Sequence, residues 1–189
     1  MALVLLIMTC LVSGQSASPR HTALEAELAR PGYVRGAPRF ADYRVRAAHK
    51  GAATWLAVGR CDQAAYPGGA GYDRLIRAEA RKNGPNFAGR CVVVVCSCGT
   101  ECGNLSVVDL RTGHIYSLPF VLAVNRQCPR PLDPTRFDFY LRRDSSLLVV
   151  VGNLVAYEKA GAVERYQGCA VRYYRWTGRK LVLVRKTPI

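Results

Sequence analysis

Histidine is scarce in this 189-residue chain, with 3 in all, and acidic residues number 13 against 27 basic ones. So few histidines leave little for a Cys–His catalytic pair or an imidazole metal site. There is no P-loop, no dinucleotide-binding glycine fingerprint, no HExxH and no G-x-S-x-G nucleophile elbow. The common phosphate, nicotinamide, zinc-protease and serine-hydrolase chemistries therefore have no foothold. No C-x-x-C occurs either, which removes the thioredoxin-type redox site and the close knuckle of a structural zinc site. Neither a cofactor nor a metal is expected. No internal repeat, long low-complexity tract or domain linker divides the chain, and no apolar run is long enough for a comfortable membrane-spanning helix.

What is present bounds the class. The length suits one domain with a sizeable hydrophobic core, and 50% hydrophobic residues argue against disorder. The net charge is +14, and 22 of the basic residues are arginine. A basic protein is drawn to nucleic acid, anionic envelope polymers or acidic proteins, and charge alone does not choose among them. Residues 2–12 are almost entirely apolar, and residues 13–18 are small and polar apart from Gln15. That pattern is a signal-peptide core with its cleavage region, although no Lys or Arg precedes it. The expected organisation is a signal peptide over residues 1–17 and a single domain over 18–189, exported to a periplasmic or secreted setting, with no stable transmembrane segment in the mature protein. Cys10 follows Met8-Thr9, a poor match to a lipidation site. The mature chain keeps Cys61, Cys91, Cys96, Cys98, Cys102, Cys128 and Cys169. Export permits disulfides, and an odd count leaves one thiol free or paired with another chain.

Periodicity predicts short helices early and strands later. Residues 21–30 form a short helix through Leu24 and Leu28, residues 39–49 suit a second, and residues 52–58 read as strand or buried helix. Residues 61–71 are a loop. Residues 72–82 predict a helix stopped by Asn83-Gly84-Pro85. Residues 91–96 are a near-continuous apolar run suited to a central strand. Residues 105–110 and Ile115-Tyr116 flank the Arg111-Thr112-Gly113 turn. Further strands follow at 137–141 and 147–151, and a last hairpin pairs 170–176 with 180–185 around Thr177-Gly178-Arg179. Both faces of that hairpin's second strand are apolar, which places it well inside the domain. Tyr173, Tyr174 and Trp176 read as core, with their neighbouring arginines at the rim. The fold class is α+β, a mainly antiparallel β domain with short helices toward the N-terminus.

Three segments occur together in order: Asn83-Gly84-Pro85-Asn86-Phe87-Ala88-Gly89, the loop Cys98-Gly99-Thr100-Glu101-Cys102, and Val108-Asp109-Leu110-Arg111-Thr112-Gly113. With residues 137–151 and Tyr173-Tyr174-Arg175-Trp176-Thr177-Gly178, they resemble a family of small, exported, largely uncharacterised bacterial proteins. The resemblance covers roughly residues 72–186 and implies an envelope or secreted setting, without a reaction. Cys96 stands where that family often has tryptophan, Glu101 where it often has glycine, and Arg90-Cys91 where it commonly has His-Tyr.

The cysteine-dense stretch from Cys91 to Cys102 is the one region that looks chemical. Strand parity points Cys91 and Cys96 to opposite faces, which opposes a tetrahedral zinc set. A strand, not a helix, follows Cys102, so no helix dipole activates a thiol there. Cys98 and Cys102 enclose a three-residue turn that can bring them within bridging distance, and a Cys98–Cys102 disulfide is expected. The pairing of Cys61, Cys91, Cys96, Cys128 and Cys169 is left open. The clamped loop offers Thr100, Glu101, Asn104 and His114 as a possible binding surface. The leading reading is an exported, non-enzymatic binding protein, an inhibitor or immunity-type factor acting on an envelope protein or polymer. The alternative is a cell-wall hydrolase using Glu101 or Asp109. Export argues against a nucleic-acid partner.

Overall fold

The structure is a computed structural model and describes residues 36–46, 59–61, 71–97, 101–124, 128, 138–157 and 164–189. These residues belong to one compact unit, Gly36–Ile189. Its elements are a 3-10 turn (Phe40–Tyr43), strand β1 (Gly59–Cys61), helix α1 (Tyr72–Asn83), and strands β2 (Cys91–Ser97), β3 (Cys102–Asp109), β4 (Ile115–Ala123), β5 (Asp138–Leu141), β6 (Leu147–Tyr157), β7 (Glu164–Tyr166), β8 (Ala170–Trp176) and β9 (Leu181–Pro188). The expected class holds: a mostly antiparallel sheet domain with little helix, placed early in the chain.

Helix α1 follows its sequence signals. Tyr72, Ile76 and Ala80 recur every four residues and are all buried against β2 and β3. Asp73 lies in the first turn and Arg81 and Lys82 in the last, matching the helix dipole. Gly84, at φ 61°, ends the helix, and Pro85 bars its continuation.

The strands run in the order β1-β2-β3-β4-β6-β8-β9, with β5 and β7 also paired to β6. Among the described strands only β1 on β2 is parallel. Strand β6 serves two sheets. Its first half lies between β5 and β8, and its second half between β4 and β7. The changeover falls at Gly152, whose φ of 110° is open to glycine and strained for other residues.

Strand β2 is buried on both faces, which explains its unbroken apolar run. Cys91, Val93 and Val95 face the main core with Phe87, Leu105, Leu122, Leu148, Val150 and Trp176. Val92, Val94 and Cys96 face α1. Strands β4 and β6 extend well past their expected ends, and β7 was not foreseen. Across the described part of the expected second helix, residues 39–46, the structure gives one 3-10 turn, after which Arg44 is extended and bridges Ser145. Tertiary bonds compete with the helix there: the Tyr43 carbonyl accepts from the Ser146 N–H and both serine hydroxyls. Residues 47–49 and the expected elements at 21–30 and 52–58 lie outside the described residues, as do residues 1–17 with the expected leader.

The last hairpin requires a correction. Strand β9 is not internal. It is the final strand of the order, pairs only with β8 among the described residues, and exposes Val182, Leu183 and Val184. An apolar run on both faces says nothing of which strand lies beyond it, and here no described strand does.

Candidate functional site

The turn after α1 is built from the Asn86-Phe87-Ala88-Gly89 stretch. The Asn86 side chain accepts from the Val93 N–H (2.8 Å) and donates to the Val93 carbonyl (3.3 Å), fastening the turn to β2. Phe87 is fully buried, 6.5 Å from the Trp176 ring. Gly89 takes a φ of 79°, and its N–H donates to the Arg143 carbonyl. This motif therefore ties helix, sheet and the β5–β6 turn together, and its residues are spent on packing.

At the β3–β4 turn, Asp109 is buried and fully engaged. One carboxylate oxygen accepts from the Arg111 N–H (2.9 Å) and the other from Arg90 Nε (2.9 Å). Burial alone would raise its pKa. The backbone bond from Arg111, the Arg90 guanidinium and the Thr112 N–H outweigh that and hold it below the usual carboxylate value. His114 is exposed in the same turn, its N–H bound to Thr112 Oγ1 and its ring 4.3 Å from that of Tyr116. Arg77 Nη1 of α1 donates to the Gly113 carbonyl and braces the turn.

Glu101 lies at the opposite end of β3, its carbonyl accepting from the Val124 N–H. Eight residue steps of strand separate it from Asp109, roughly 25 Å, against the 5–10 Å that paired-carboxylate hydrolysis requires. The strand holds the expected loop residues apart in the same way, with Glu101 and His114 at its two ends. Asn104 is buried between them at 6% exposure. Thr100 lies outside the described residues.

The cysteines sort by face. Cys91 is free, buried in the main core, and burial pushes its thiol up to about 11, with the Asp109 charge adding to the effect. Such a thiol is protonated and inert at neutral pH. Cys96, on the α1 side, is disulfide-bonded, and Cys61 of β1 stands opposite it in register. Cys102 is also disulfide-bonded, while its expected partner Cys98 lies outside the described residues. Cys128 and Cys169 form a disulfide with a Cα–Cα distance of 5.5 Å. Beside it, Arg172 is not at the rim: it is 2% exposed and donates to the carbonyls of Gly152, Gln167 and Gly168. Sequence gave no signal for this, because the acceptors come from two separate segments.

The surface feature that sequence reasoning misplaced is β9. Val182, Leu183 and Val184 are 41%, 50% and 42% exposed. Exposed Arg179 and Lys180 precede them, and Arg185 and Lys186 follow. Residues 165–189 contain no Asp or Glu. Two signals could have revealed it: the strand is the last in the chain, and cations flank its apolar run on both sides.

Among the described residues no group of three His, Cys, Asp or Glu side chains could hold a metal ion, and no helix is long and apolar enough to cross a membrane. No family model matches the chain, and no curated protein or solved structure matches it.

Proposed function

We propose that this chain is an exported, non-enzymatic binding protein acting in the cell envelope as an inhibitor or immunity-type factor. The observation that carries the reading is the contiguous exposure of Val182, Leu183 and Val184 beside Arg179 and Lys180, within residues 165–189, which contain no Asp or Glu. Apolar side chains ringed by polar ones are the ordinary make-up of a protein-contact surface. The charge favours an acidic partner. The leader-like residues 1–17, the oxidised cysteines and the resemblance to small exported proteins support the setting. The hydrolytic alternative gains nothing from Asp109, whose carboxylate is taken up by Arg90 and the turn backbone.

The test is affinity capture by the mature, oxidised protein from the envelope and secreted fractions of its own organism. The expected result is a reproducible acidic partner released by moderate salt. Capture of nothing above an immobilised basic control protein overturns the reading.

A further inference from the structure

We infer that the outer edge of β9 is a docking site for an acidic, extended segment of a partner protein, which adds to the sheet as a further strand. The inference rests on the binding reading above and names where and how the partner is held.

The geometry favours an edge over a face. Successive side chains of a strand point to opposite sides of the sheet, so Val182 and Leu183 are exposed on different faces. A partner lying flat on either face would cover one and leave the other in water. A strand added alongside β9 reaches both, and satisfies the outward N–H and C=O groups of every second residue. The length suits this as well. β9 spans Leu181–Pro188, longer than most strands, and its first four residues are an unbroken apolar run. A bulge falls at Val184, with Arg185, Lys186 and Pro188 beyond it, so the stretch open to a partner strand is residues 181–184, preceded by Arg179 and Lys180.

Charge selects the occupant. Arg179 and Lys180 before the apolar run and Lys186 after it match a segment that is apolar in its centre and acidic at its ends. Lys186 is held by the neutral Gln167 carbonyl and keeps its charge, while Arg185 is already engaged, in part by the Gly36 carbonyl. A second copy of this chain is a poor occupant. Antiparallel self-pairing centred on Leu183 would set Lys180 opposite Lys186 and add like charges along the seam. A bare polyanion such as single-stranded nucleic acid would meet the cations but leave the valines and leucine uncovered.

The probe is a fluorescent synthetic peptide of about ten residues, with alternating valine and threonine in the centre and two glutamates at each end. Fluorescence anisotropy with the folded, oxidised protein should show saturable binding. A peptide with lysines in place of the glutamates, and one with alternate backbone amides N-methylated, should each bind at least tenfold more weakly. Leu183→Glu should weaken the acidic peptide tenfold while leaving the thermal transition in place. Equal binding of the N-methylated peptide, of polyglutamate without valines, or of single-stranded DNA overturns the proposal. So does a protein dimer that Leu183→Glu disperses, or no saturable binding of the acidic peptide. The two readings separate through the natural partner. If Leu183→Glu retains the captured partner, the edge is wrong and the binding function stands. If nothing is captured while the acidic peptide binds through the edge, the edge stands and the proposed function does not.

Discussion

The Cys91 thiol lies in the main core beside Trp176, and burial lifts its pKa from 9.0 to about 11. The sign of the resulting pH dependence follows directly. Between pH 9 and 11 the unfolded chain gives up a proton that the native state keeps, so alkali favours unfolding. The contribution is complete below pH 9 and is lost as the pH rises through 11. Burial also raises Tyr72, Tyr173 and Tyr174, which titrate in the same sense, so the cysteine part must be isolated by difference. Cys91→Val keeps an apolar side chain, slightly larger than the thiol, and removes the proton. Urea denaturation at pH 7.5 should place the variant within about 1.5 kcal/mol of the native protein. At pH 11 the native protein should have lost about 1–2 kcal/mol more than the variant. Equal losses would show that the thiol is open to water. The same environment explains why a lone thiol beside Arg90 gives no nucleophile: desolvation exceeds the help of the cation.

At the scale of elements, β6 decides the architecture, because one strand runs through both sheets and Gly152 is where it changes partners. Gly152→Ala forces a side chain into a φ of 110° and should cost about 1–3 kcal/mol. Hydrogen exchange should show faster opening on both sides of the substitution, in the β8 pairing and the β4 pairing together. Opening confined to one sheet would mean that the two halves of β6 behave as separate strands. The same glycine limits what sequence reading recovers. Gly152-Asn153 looks like the end of a strand, so the reading stops at residue 151, while the chain runs on to Tyr157 because β4 and β7 supply new partners. Where local signal and burial agree, the elements were legible. The four-residue spacing of Tyr72, Ile76 and Ala80 with Gly84 as stop gives α1, and the apolar run at β2 gives a central strand. The candidate site was less legible. The Arg111-Thr112-Gly113 turn reads correctly from sequence, and Asp109 is bound to its backbone. The environment of Arg172 depends on which carbonyls return to the same place, which has no local pattern, whereas the exposure of Val182–Val184 left a trace in the flanking cations and the strand's place as the last one.

Across the whole molecule, the Cys128–Cys169 bridge spans a sequence separation of 41 and closes a loop containing β5, β6 and β7. On the chain-entropy account, removing a cross-link of that span destabilises by about 4 kcal/mol, a large part of the roughly 5–15 kcal/mol typical of a domain. The bridge does not act alone. Cys169 sits in the β7–β8 turn, and the carbonyls of Gln167 and Gly168 in that turn are bound by the buried Arg172 guanidinium, which also reaches Gly152 on β6. Arg172→Met removes the donor and leaves those carbonyls to find water, at about 3 kcal/mol. If the bridge holds the turn where Arg172 can reach it, the two losses share a cause. The paired substitution Cys128→Ser with Cys169→Ser, Arg172→Met, and their combination therefore form a double-mutant cycle. Urea midpoints of the four proteins should show a combined loss smaller than the sum by more than about 0.5 kcal/mol, because a turn released from its disulfide no longer presents its carbonyls to the guanidinium. Strict additivity would show that the guanidinium orders this turn unaided and that the bridge acts only on the unfolded chain.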